Sequence, residues 1–207
     1  MAERYTAMLR SHTGKNTLDV WRAYADCFDG ERLIRCGDLD TGLSLLGPAV
    51  DELWRAGFVQ YHTPFVVALA LGLTHAGRVA DARVMIDEAL DRCERTGESW
   101  ALAELHRARG RTLLIGSASG ANQAAEAAFL QSLDIARAQK GLSWELRAAT
   151  SLARLWRDQN RSTEAIALLA PIYNRFTEGF ETADLKTAKA LIDSLPLGAG
   201  ARRDEAA

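Results

Sequence analysis

The chain has 207 residues, 48% of them hydrophobic, with 25 Lys and Arg against 27 Asp and Glu for a formal net charge of -2. That is enough apolar material for a real core, and no overall basic field draws the chain to nucleic acid or anionic lipid. Three cysteines, Cys27, Cys36 and Cys93, stand at unrelated spacings, so neither a disulfide framework nor a zinc pattern follows and a reducing cytoplasm is the expected compartment.

The first residues, MAERYTAMLRSHTGKNT, are polar and lack the apolar stretch of a signal peptide. Residues 1–16 read as an N-terminal extension, its first ten or so residues frayed. From there the chain repeats itself. Gly37, Gly77, Gly120 and Asn160 are separated by 40, 43 and 40 residues, and Gly42, Ala82, Ala125 and Ala165 by the same intervals. Upstream, Gly30, Ala70, Gly110 and Ala153 are small again, now 40, 40 and 43 apart. One three-residue insertion in RTLLIGSASG, between Gly110 and Gly120, reconciles the two series. A period of this length is the mark of a repeat architecture.

Each repeated position has a physical reason. Gly or Asn after an apolar-periodic run tolerates the left-handed backbone that ends a helix. The small residues belong where two helix axes approach closely, and Leu46, Ile86, Phe129 and Leu169 fill the grooves between hairpins. Apolar spacings of 3, 4 and 7 through VADARVMIDEALDRC and AEAAFLQSLDIARA are helical, with no sustained period of two. The spacing predicts an all-α fold of four helical hairpins: 17–36 with 39–56, 62–76 with 79–95, 98–115 with 121–139, and 143–159 with 162–178. A capping helix over 181–194 covers the last apolar face, and 196–207 reads as a disordered tail. Pro48 and Pro171 fall inside second helices, eleven residues after their turn residues. The longest apolar run, Phe65 to Leu73, is far short of the roughly 20 residues a membrane helix needs.

Few residues offer chemistry. His12, His62, His75 and His106 have no metal-ligand spacing, and GSASG (Gly116 to Gly120) lacks the strand of a nucleophile elbow and the Gly-Lys-Ser/Thr end of a phosphate loop. It reads as an enlarged turn, and no cofactor or enzyme activity is expected. Trp21, Tyr61, Trp100 and Trp144 align within one residue near the start of each first helix, a ladder expected to pack neighbouring repeats together. Trp156 is expected in the core. The candidate site is a set of charges on the outward face of two first helices: Glu104, Arg107 and Arg111 in the third repeat, Arg147, Arg154 and Arg157 in the fourth. The second repeat has Val67, Leu71 and Thr74 there instead. Five arginines suit bidentate contacts to an acidic or phosphorylated segment; a solvated face with pairs such as Glu104 to Arg107 is the competing reading.

With the repeats laid out, residues 17–195 resemble a tetratricopeptide-type array, with a longer period than that family's usual one. Three segments, VWRAYADCFDGERLIRCGD, HAGRVADARVMIDEALDRCERTGESWALAELHRARG and LSWELRAATSLARLWRDQNRSTEAIALLAPIYNRFTEGFETADLKTAKALID, are similar to the C-terminal helical-repeat module of bacterial STAND-type signalling ATPases. There such arrays follow an ATPase core, often behind an adenylate-cyclase-like or winged-helix domain, and none of those domains is in this chain. The resemblance implies a right-handed superhelical solenoid and a non-catalytic sensor or interaction module, a fragment of a longer protein or a stand-alone relative. Its expected partner is a protein or acidic peptide in the concave groove, with no direct nucleic acid or membrane contact. A metabolite in the apolar groove near Val67 and Leu71, or a homodimer formed through the first repeat, are the alternative expectations.

Overall fold

A computed structural model describes residues 2–16, 18–116 and 119–195. Among them are ten helices and no strand, so the fold is all-α. The chain divides into two compact units, Met1–Ala101 and Leu102–Ala207.

The first unit holds α1 (Ala2–Asn16), α2 (Asp19–Arg35), α3 (Leu39–Arg55), α4 (His62–His75) and α5 (Val79–Thr96). Each packs on the next, and α2 also touches α4. The second holds α6 (Leu102–Ile115), α7 (Ala121–Ala138), α8 (Leu142–Asp158), α9 (Ser162–Tyr173) and α10 (Ala183–Ser194). Here too successive helices pack, with α6 against α8 and α10 against α8 besides. Consecutive packing of this kind is what a helical-repeat sequence requires.

The hairpin turns follow the repeat. Gly37, Gly77, Gly120 and Asn160 all adopt positive φ, 92°, 79°, 77° and 64°, as a chain reversing between helices demands. Beyond the turn, Ala82, Ala125 and Ala165 are fully buried and Leu46, Ile86, Phe129 and Leu169 at most 1% exposed. Helices α2 and α3 approach closely. A Cβ on Gly30 would lie 2.8 Å from Leu46 Cβ and 2.9 Å from Leu46 N, and one on Gly42 would lie 2.9 Å from the Gly30 carbonyl oxygen. In α6 a Cβ on Gly110 would meet the Phe129 ring, with Cδ1 at 2.7 Å. Pro48 lies inside α3 and Pro171 inside α9.

Three elements differ from expectation. Helix α6 begins at Leu102 rather than near 98, because Gly97 caps α5 in the left-handed conformation. Helix α9 ends at Tyr173, short of 178, and Arg175 beyond it reaches back to Glu145 of α8 at 2.5 Å. The largest departure is α1, a helix where fraying was expected. It is held by polar contacts: Thr6 Oγ1 donates to Asp29 at 2.7 Å, and Arg10 pairs with Asp26 and Asp29 at 2.5 and 3.3 Å. Its buried side chains include Thr6 and Thr13 rather than large apolar residues, so periodicity gave no signal. The tail expected over 196–207 lies outside the described residues.

If backbone contact is what makes Gly30 necessary, two alanine substitutions in neighbouring helices should have opposite signs. Gly30→Ala should destabilise by about 1–3 kcal/mol through overpacking. Gly47→Ala, in α3 with nothing within 4 Å of its Cβ position, should stabilise by up to about 1 kcal/mol through helix propensity. Urea unfolding of both variants measures this; a neutral Gly30→Ala would contradict the tight α2–α3 crossing.

Candidate functional site

The six charged residues singled out by the repeat register lie on α6 and α8, helices that pack against each other in the second unit. Glu104 anchors them. Its carboxylate accepts from Arg107 Nε at 3.0 Å and from an Arg107 terminal nitrogen at 2.7 Å, and both side chains are only 11% exposed. Arg147 donates to Glu104 across the helix pair at 3.2 Å and to Asp184 of α10 at 2.8 Å. The expected Glu104–Arg107 pair is therefore present, but buried and extended across three helices rather than solvated on one.

Two turns further along, the balance of charge changes. Arg111 is half-buried, and its pKa falls to about 10, first through burial and then through the nearby Arg107 and Arg154 guanidiniums, with Glu104 opposing. Arg154 is exposed; the surrounding protein lowers its pKa too, followed by Arg157 and Arg107, against Asp158. Arg157 is exposed and pairs with its neighbour Asp158 at 2.9 Å. The strip thus carries five guanidiniums against the carboxylates of Glu104, Asp184 and Asp158, an excess of two positive charges. With a pKa of about 10, Arg111 stays protonated near neutral pH. The arrangement can bind and orient an anion; it presents no nucleophile beside a base.

Other sequence candidates fall differently. The aligned aromatics do not form a buried ladder: Trp21, Tyr61 and Trp100 are 49%, 53% and 37% exposed, and Trp144 is half-buried. They stand at or just before the first turns of their helices, where short loops offer too little surface to cover a ring. In the first unit the rings pack edge to face on one another, Tyr61 on Trp100 at 5.8 Å and Trp21 on Phe58 at 6.5 Å between centroids. Phe28, 45% exposed, meets Phe65 at 5.1 Å. The sequence reading did not single out Phe28 or Phe58.

Trp156, expected in the core, is half-buried. Its indole donates to Glu126 at 2.7 Å and Arg161 stacks over it at 4.7 Å. Beside it opens a cleft of about 660 Å³ lined by Leu114, Asn122, Gln123, Glu126 and Gln159. The Glu126 carboxylate is already taken by Trp156 and Arg161. The enlarged turn expected over Gly116–Gly120 falls partly on residues 117–118, outside the described residues. Val67 and Thr74 are buried and Leu71 half-buried. His62 and His106 are buried, His12 and His75 exposed. Burial, then Arg92, lowers the His62 pKa to about 4, so it packs as a neutral ring against Trp54, 5.1 Å away. Among the described residues no group of three or more His, Cys, Asp or Glu is placed to hold a metal ion, and no helix is long and apolar enough to cross a membrane.

The burial of Glu104 gives a sharp expectation for its neutral isostere. Glu104→Gln leaves Arg107 and Arg147 beside Arg111 and Arg154 without their carboxylate, which should cost about 3 kcal/mol in chemical denaturation. A solvated pair would change stability by less than about 1 kcal/mol, and that result would contradict the buried network.

Set against protein-family models and curated proteins, the chain matches none.

Proposed function

We propose that the chain is a non-catalytic recognition module that binds an acidic segment of another protein along the α6–α8 strip. The observation that carries this reading is the excess of guanidinium over carboxylate there, with Arg107 and Arg154 lowering the pKa of Arg111, and Arg157 and Arg107 that of Arg154. Like charges crowded beside a half-buried surface are unfavourable alone and are relieved by an anion. Arginine forks hold carboxylates or phosphates in two-point contacts. A stack of helical hairpins offers extended surface and few convergent polar groups, which suits recognition better than bond-breaking. The resemblance to the C-terminal repeats of STAND-type signalling ATPases agrees with this by analogy; there, a bound segment would bias an ATPase between off and on states in the cytoplasm of a bacterium.

A second reading, self-association through the first unit, is favoured by one feature. Trp21, Phe28, Phe58, Tyr61 and Trp100 are each more than a third exposed, and exposed apolar side chains that form a contiguous patch mark interaction sites. Sedimentation over a range of concentrations distinguishes a homodimer from a monomer that recruits a different chain.

The direct test is affinity capture from native extract, comparing the wild type with the double variant Arg111→Glu, Arg154→Glu. Partner recovery should fall about tenfold or more, the equivalent of about 1.4 kcal/mol, while the melting temperature changes little. Equal recovery by both proteins, or early unfolding of the variant, would show that these arginines serve the fold instead.

A further inference from the structure

The first unit carries a surface that the charge strip does not use. Trp21, Tyr24 and Phe28 stand at i, i+3 and i+7 on α2 and so share one face of it. Phe58, in the loop between α3 and α4, meets Trp21 and Tyr24 at 6.5 and 6.4 Å between ring centroids. Phe65 of α4 meets Tyr24 and Phe28 at 6.1 and 5.1 Å. The Tyr24 phenol is hydrogen-bonded to the Tyr61 backbone, and the Tyr61 ring packs on Trp100 at 5.8 Å. The rings form one connected patch, with Tyr24 and Phe65 buried and the other five open to solvent.

We propose that this patch docks a short proline-rich segment of another protein, in the polyproline II conformation and flanked by a basic residue. The inference is independent of the α6–α8 strip. Area separates a segment from a second copy. At roughly 150–250 Å² per ring, exposures of 37–53% leave about 350–550 Å² over the five open side chains. A stable interface takes about 800 Å² from each partner, so the patch suits a short segment better than a folded copy. The polar groups favour an extended backbone over a helix. Trp21 and Tyr61 are 49% and 53% exposed, and neither the indole N–H nor the phenol O–H donates to a described residue. A helix uses its carbonyls internally, whereas a polyproline II backbone makes no internal hydrogen bonds and can accept from both donors. Proline's fixed φ also leaves less conformational entropy to lose on docking. Charge sets the flank. Asp19, two residues before Trp21, and Glu52 share the one guanidinium of Arg22 at 3.4 and 3.9 Å, a net negative edge. The whole unit carries 15 Asp and Glu against 11 Lys and Arg.

Three fluorescent ten-residue peptides test this on the full chain: a proline-rich one ending in arginine, the same with every proline replaced by alanine, and the same with the arginine replaced by glutamate. Anisotropy titration should show the first binding about tenfold or more tighter than the alanine peptide. It should also bind tighter than the glutamate peptide, by a margin that shrinks in salt and in Asp19→Asn. Trp21→Ala should abolish the proline preference. Trp54→Ala, which removes an exposed ring packed on His62 and Arg92 instead, should preserve it, and melting curves confirm that both variants fold. Equal binding of the proline and alanine peptides, or full affinity in folded Trp21→Ala, overturns the proposal. Equal binding of the arginine and glutamate peptides overturns the basic flank. A dimer in sedimentation that Trp21→Ala dissociates overturns the segment and makes a second copy the occupant. None of these outcomes bears on capture of an acidic segment by α6 and α8, so the two readings fail separately.

Discussion

Two helices can pack at near backbone contact only where side chains are absent or tiny, and this constraint organises the molecule. At the α2–α3 crossing both partners are glycine, and the space for a Cβ is filled by Leu46 backbone on one side and the Gly30 carbonyl on the other. In α6 the vacancy left by Gly110 is filled by the Phe129 ring, while α5, α7 and α9 present Ala82, Ala125 and Ala165, all fully buried. The large residue four positions later then enters the groove that the close approach creates. Interiors packed to crystal-like density leave such positions no freedom, which is why the chain repeats them at near-constant intervals while almost everything outside them varies.

Close packing also decides where charge is placed. In the second unit buried carboxylates sit beneath arginines: Glu104 under Arg107 and Arg147, and Glu145 under Arg137 and Arg175. A buried carboxylate is tolerable only with such partners, so these arginines are committed to holding helices together. Arg154 differs: it is exposed, and the carboxylate acting on it, Asp158, is paired with Arg157. The functional reading grows from that inequality between otherwise similar residues on the same two helices.

How far the sequence revealed this follows from which forces have a period. Helix order, the hairpin turns and the small-residue crossings were legible because sterics at Gly30, Ala82 or Asn160 leave a signature at fixed intervals. Helix α1 was not, because Thr6 and Arg10 hold it through polar contacts that give no apolar pattern. The aromatic positions were legible but their burial was not: alignment placed Trp21, Tyr61 and Trp100 correctly in the repeat, yet exposure depends on how much the adjoining loops cover. The charge strip was legible as a list of residues. The division into a buried network and a crowded pair was not, since it depends on Asp184 reaching Arg147 from α10, thirty-seven residues away.

The electrostatic crowding of Arg111 by Arg154 is the claim on which the functional reading stands, and their coupling free energy measures it. A double-mutant cycle in unfolding free energy, replacing each with Gln alone and together, isolates that pairwise interaction. Adjacent guanidiniums should show repulsive coupling of about 0.5–1 kcal/mol at low ionic strength, shrinking as salt screens it. Strictly additive effects at every salt concentration would mean the two arginines do not face one another, and the anion site would not exist.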